Sequence, residues 1–137
     1  MHRSYYIAPG TYENWCAALA KGSVWGLPKE RLRTWRSLRR GDVVFFYVQA
    51  PFSGIVGYGE IQDTFEDRTP FFADDRGAAT NWPLRFGFQV ILASAPPRFR
   101  PRVPVEDLLR FPRLKRLEKL TDQLGEELLR RCKIEMS

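Results

Sequence analysis

One histidine, two cysteines and 16 carboxylates are the side chains from which acid–base, nucleophilic or metal chemistry would have to be assembled in this 137-residue chain. His2 stands near the start of the sequence, so a serine–histidine triad or a cysteine–histidine pair would have to be built on a terminal residue. Zinc needs about four ligands at ordered spacings, and His2, Cys16 and Cys132 do not supply them. The acidic pairs Glu66-Asp67 and Asp74-Asp75 could hold magnesium, although adjacent acids in a polar stretch read first as solvated loop residues. Gly57-Tyr58-Gly59 lacks the third glycine and the following helix of a phosphate loop. The sequence therefore assigns no catalytic residue, no metal site and no cofactor. A hydrolase or nuclease using Asp74 and Asp75 is the enzymatic alternative.

Binding chemistry has more to stand on. Trp25 and Trp82 sit in stretches punctuated by glycine and proline, Gly22-Ser23-Val24-Trp25-Gly26-Leu27-Pro28 and Asn81-Trp82-Pro83, where neither helix nor strand periodicity asks for an indole. Both read as loop residues. An indole face stacks on a nucleobase for about 1–3 kcal/mol. If both are walls of a base-binding cage, replacing either with alanine leaves the fold largely intact; if they are plugs sealing a core, it does not. Asn14, at a helix start, can read a base edge with its amide.

Charge supports an anionic partner. The chain carries net charge +6, and residues 21–40 alone hold seven basic side chains (Lys21, Lys29, Arg31, Arg33, Arg36, Arg39, Arg40) against Glu30. Residues 41–90 are acidic, so the basic surface is a patch rather than a general excess. A patch rich in arginine, whose planar fork matches phosphate, suits a nucleic-acid backbone better than a solvated face requires. The longest apolar run, Val43 to Val48, is far short of the ~20 residues that span a bilayer. Two cysteines make no disulfide framework and no signal-peptide pattern is read, so a cytoplasmic protein without membrane association is expected.

The elements that must position these residues follow from periodicity. Arg3 to Ala8 reads as a strand stopped by Pro9-Gly10, and Thr11 caps a helix to about Ala20 with Tyr12, Trp15, Cys16 and Leu19 on its buried face. Pro28 opens a second, short helix in which Leu32, Trp35 and Leu38 face inward, ended by Gly41-Asp42. Val43–Val48 is a central strand, and 55–61 returns with Gly57 and Gly59 marking a bulge or bend. Residues 63–83 are irregular, 84–93 is a further strand, and 96–104 is an extended segment studded with proline and arginine. Helical patterns at 105–111 and 124–134, with a turn around 113–117, close the chain. The class is α+β, a small curved mixed sheet with helices on its side, in one domain spanning residues 1–137.

The order Glu13-Asn14-Trp15, then Leu19-Ala20-Lys21-Gly22-Ser23-Val24-Trp25-Gly26-Leu27-Pro28, resembles the EVE domain family and, more distantly, its YTH relatives in the PUA-like superfamily. The likeness runs through Gly41-Asp42, Phe45-Phe46-Tyr47-Val48 and Ser53-Gly54-Ile55-Val56-Gly57 to Trp82-Pro83, covering about residues 4–92. It implies a PUA-like pseudo-barrel that binds nucleic acid and takes a flipped, methylated base into an aromatic cage. By that resemblance Trp25 and Trp82 are the cage walls, and Asn14, Gly26, Ser53 and Gly54 lie near the pocket. The seven basic residues of 21–40 are then expected to contact phosphates of modified DNA or RNA, with the protein non-enzymatic; the oligomeric state is left open, a monomer being favoured over an oligomer. The alternative is a PUA-like binder of structured RNA, or of a small ligand, with no requirement for a modification.

Overall fold

A computed structural model of the chain describes residues 2–72, 75, 80–105 and 114–136. Its frame is one six-stranded sheet. Strand β1 (Tyr5–Gly10) leads into helix α1 (Tyr12–Ala20), whose N-terminus is capped by the Thr11 hydroxyl accepting from the Asn14 N–H at 3.1 Å. Strand β2 (Val24–Leu27), a 3₁₀ turn at Lys29–Arg31 and helix α2 (Leu32–Ser37) carry the chain to β3 (Val43–Val48), which pairs with β1 in parallel. This crossover is the only parallel pairing among the described strands.

Strands β4 (Gly54–Glu66) and β5 (Leu84–Ala93) then form a long antiparallel hairpin, β6 (Glu118–Leu120) returns to β1, and α3 (Asp122–Met136) closes the described chain. The order across the sheet is β2-β5-β4-β3-β1-β6.

The sheet curls because β4 is irregular on both sides. Its register shifts against β3 at Phe46/Tyr47 and against β5 at Tyr58/Gly59 and Ile61/Asp63. A bulge bends a strand and sharpens its twist. At Gly57 a side chain would meet the Leu92 carbonyl oxygen at 2.4 Å, so the crossing of β5 over β4 depends on the missing Cβ. The concave face holds one apolar cluster, with Trp15, Phe46, Phe86 and Phe88 at its heart and α1 over it. The other face packs Tyr5, Ile7, Phe45 and Ile55 against Leu128 and Cys132 of α3. The two faces explain why β1 and β3 read as uninterrupted apolar runs: both sides are covered.

Several sequence expectations are corrected here. Pro9-Gly10 does not stop β1; beyond Ile7 the strand has no β6 neighbour, so the N–H that Pro9 lacks is not needed there. Trp25 is not in a loop but at the second position of β2, paired with Phe86. β4 runs on to Glu66, and a three-residue strand, Glu118–Leu120, follows the turn read around 113–117, where no element was expected. Of the helical pattern at 105–111, residues 106–111 lie outside the described residues, as does Arg113. Trp35 is half-buried against the core and donates its indole N–H to the Arg85 carbonyl at 2.9 Å.

Candidate functional site

The site begins with β2. Its pairing to β5 turns Trp25 inward, where the indole stacks on Trp15 with ring centroids 3.9 Å apart and planes 9° from parallel. Trp25 is only 5% exposed, so one face is anchored in the core and the rest of the ring forms a wall. Trp15 is fixed in turn by donating its indole N–H to the Tyr47 carbonyl at 3.0 Å. A buried indole N–H with a partner carries no desolvation penalty into the core.

The loop after β4 supplies a second wall. Arg85, 3% exposed on β5, pairs with Asp67 at 3.3 Å, donates to the Thr69 and Trp82 carbonyls, and lies over the Phe71 ring at 5.5 Å. Asp75 accepts from the Phe71 N–H at 2.8 Å, the Phe72 N–H at 3.1 Å, the Thr80 hydroxyl at 2.8 Å and the Asn81 N–H at 3.1 Å. Thr80 in turn accepts from the Trp82 N–H at 3.0 Å. Burial pushes the Asp75 carboxyl upward, but those hydrogen bonds outweigh it and hold the pKa below the ordinary 3.8. Asp75 is thus an organiser of this loop, with its oxygens committed to backbone and hydroxyl donors. Asp74 lies outside the described residues. Among the described residues, no group of three His, Cys, Asp or Glu side chains could hold a metal.

Between the walls is a cavity of about 320 Å³, within the size range of small-ligand clefts. Trp25, Trp82, Gly26 and Asn14 all line it. So does Phe72, whose ring stands edge-on to both indoles, at 5.5 Å and 75° to Trp25 and at 6.5 Å and 80° to Trp82. Gly26 is where the two walls touch: a Cβ there would lie 2.7 Å from the Trp82 Cβ and 2.8 Å from the Phe72 Cε2. Pro9, Gly10 and Thr11 form the floor between β1 and α1, with Asn14 buried one turn into the helix.

Polar groups converge at the rim. Arg31 lines the cavity, donates its Nη2 to the Leu117 carbonyl at 2.6 Å, and keeps a buried Nε with no acceptor among the described residues. A buried guanidinium N–H left in this state is rare unless a ligand or water completes it. Gln49 also lines the cavity and donates to the Leu114 carbonyl at 2.9 Å, so the segment carrying Lys115 and Arg116 is tied across the opening.

The remaining sequence candidates lie elsewhere. Ser53, in the turn before β4, and Gly54, the first residue of β4, lie outside this cavity, with Gly54 against Arg102. Of the seven basic residues, only Arg31 reaches the cavity wall. Lys21, Lys29, Arg33, Arg36, Arg39 and Arg40 are exposed and do not line it; Lys21 lies over the Phe71 ring at 5.6 Å, while Arg39 and Arg40 donate to carbonyls of Arg36, Leu38 and Gln62 at the far end of β3. Sequence reasoning missed Phe72, Gln49, Lys115 and Arg116. Phe71-Phe72 inside an otherwise polar stretch was the signal available for the first; nothing local marks the others.

No protein-family model matches the chain, and no curated protein is detectably similar to it. Solved structures are. The Toxoplasma CPSF4 YTH domain, determined without ligand, superposes with a TM-score of 0.70 at 15% identity, covering 98% of this chain and 88% of that one. The YTH domain of Zygosaccharomyces rouxii MRB1, solved in complex with N6-methyladenosine RNA, gives 0.63 at 16% identity over 95% and 86%. A Rhodopseudomonas palustris protein solved by NMR gives 0.57 at 20% identity over 96% and 92%. The chain therefore has a YTH-like α+β fold.

Proposed function

We propose that this protein is a non-enzymatic nucleic-acid-binding domain of EVE type that takes a flipped, methylated base into the cavity between Trp25 and Trp82. The observation that carries this is the convergence of two indoles, Phe72, the Asn14 amide and the incompletely bonded Arg31 guanidinium on one cleft, in a chain whose residues 21–40 also carry six exposed basic side chains. Aromatic faces supply sequence-tolerant stacking, Asn14 and Arg31 supply the directional groups, and the exposed lysine and arginine side chains hold phosphates. The fold shared with a YTH domain seen on N6-methyladenosine RNA favours RNA as the partner.

The energetics set what such a site can do. Burying one methyl group gains about 0.8 kcal/mol from transfer. Discrimination by one methyl group is generally about 1–3 kcal/mol. Extruding the base costs a few kcal/mol, least from a single strand. Stacking and phosphate contacts must therefore carry most of the affinity, and single-stranded RNA is the favoured form.

The test is a pair of titrations that follow tryptophan fluorescence, using single-stranded RNAs identical except for one N6-methyladenine. Tighter binding of the methylated strand, lost in Trp82→Ala and weakened in Arg31→Ala, is the expected result. Equal binding of the two strands would support instead a PUA-like binder with no modification requirement. No binding by either, with no quenching, would remove the reading.

A further inference from the structure

Every second residue from 98 to 102 is an arginine, and this segment takes no part in the cavity around Trp25. Arg98, Arg100 and Arg102 converge with Pro51 and Phe52 on a second, open concavity. The backbone that carries them is pinned. Phe99 is fully buried, edge-on to Tyr12 at 5.6 Å and to Phe52 at 6.0 Å, and Val103 exchanges two backbone hydrogen bonds with Ile55 at 2.8 and 2.9 Å. Arg102 is further steered by the Phe52 ring, over which its guanidinium lies at 5.6 Å.

None of the three guanidinium groups has an ion-pair partner among the described residues, whereas Arg3, Arg85, Arg116, Arg130 and Arg131 each do. Three unneutralised cations carried on one concave surface repel one another until an anion bridges them, and a planar guanidinium fork matches phosphate oxygens.

The two concavities share a wall. Thr11 and Gln49 line the first; the next residue, Tyr12, stacks on Phe52 at 5.2 Å and 8°, and the Phe52 N–H donates to the Gln49 carbonyl at 3.3 Å. A chain leaving the first cavity over this ridge meets the arginines next.

We propose that Arg98, Arg100 and Arg102 hold successive phosphates of a single-stranded nucleic acid whose base occupies the first cavity. The assignment rests on the reading of that cavity as a base site, and it extends the docking surface beyond the basic segment 21–40. Arg98 and Arg100 are exposed, so the double variant Arg98→Ala/Arg100→Ala spares the packed core.

The full chain and this variant are titrated with N6-methyladenosine as the free nucleoside, and with methylated and unmethylated single-stranded RNA over a range of salt. The nucleoside is expected to bind both proteins alike. The variant should bind the methylated strand more weakly, with its log-affinity against log-salt slope shallower by about 1.4, from two contacts at about 0.7 each. An unchanged slope and affinity on the strand overturns the proposal, even if the methylated base is still preferred. A slope reduced equally on both strands, with no preference for the methylated one, upholds the phosphate site while removing the modified-base reading.

Discussion

Gly26→Ala adds one methyl group at the point where the two walls of the cavity meet, and the structure sets its consequences. The new Cβ would stand 2.7 Å from the Trp82 Cβ, 2.8 Å from the Phe72 Cε2 and 3.0 Å from the Trp82 carbonyl oxygen. Carbon atoms pack best at about 3.5–4.0 Å, so the opposing loop must retreat by about 1 Å. It cannot do so by rotating one side chain, because the Trp82 carbonyl is held by Arg85 and its N–H by Thr80.

Overpacking against a fixed neighbour of this kind costs about 1–3 kcal/mol. Part of that appears as lost stability and part as a displaced Trp82. Urea denaturation reads the first, and RNA titration under native conditions reads the second. The expected result is a lower midpoint with an unchanged m-value, together with weaker binding. Parent-like stability and affinity would refute the idea that the packed contact at Gly26 sets the cavity width.

The two indoles separate in the same assays. Trp25→Ala empties a core position stacked on Trp15 and should cost about 3–5 kcal/mol of stability, while Trp82→Ala, half-buried, should cost mainly about 1–3 kcal/mol of base stacking; equal stability losses in denaturant would refute this division. Asp75 has a folded pKa below 3.8, so its contribution is present above that value and is lost as pH falls through the folded pKa. Asp75→Asn should therefore be less stable than the parent at neutral pH, with the gap closing in acid; stability curves parallel at every pH would contradict it. Burial pushes the Cys132 thiol up to about 12, so a thiol reagent should modify Cys16 readily and Cys132 only on unfolding, as mass spectrometry of the labelled peptides would report.

What was legible in the sequence is what local pattern encodes. The Thr11 cap, the apolar β3 and the bounds of β5 all follow from periodicity or capping chemistry, and each is where those signals put it, whereas the buried face of α1 centres on Trp15 with Asn14 and Ala18, leaving Tyr12, Cys16 and Leu19 half-buried at its edges. β2 was hidden because Gly22, Gly26 and Pro28 crowd a four-residue strand with turn signals, and only pairing with β5 makes it a strand. β6 was hidden because Glu118-Lys119-Leu120 has no strand signature apart from its partner β1. The same distinction governs the site. Trp25, Trp82 and Asn14 were nameable from residue type, but Phe72, Gln49 and Arg116 join them only through long-range closure. The basic segment was read as one surface, whereas the fold directs Arg31 inward and the others outward.

The Arg31 to Leu117 hydrogen bond spans 86 positions of sequence, and just beyond it β6 completes the flank of β1, residue Tyr5 facing Leu120. During synthesis β1 thus receives its outer neighbour only after residue 120 is made, and the rim at Lys115–Leu117 arrives with it. Binding and the docking of this late segment are consequently linked equilibria: whatever occupies the cavity favours the closed rim, and a loosened rim weakens the occupant by the same free energy. Amide hydrogen exchange would display the link directly, as slower exchange in β6 and at Leu117 when ligand is added, although neither the β6 amides nor the start of β1 touches the cavity.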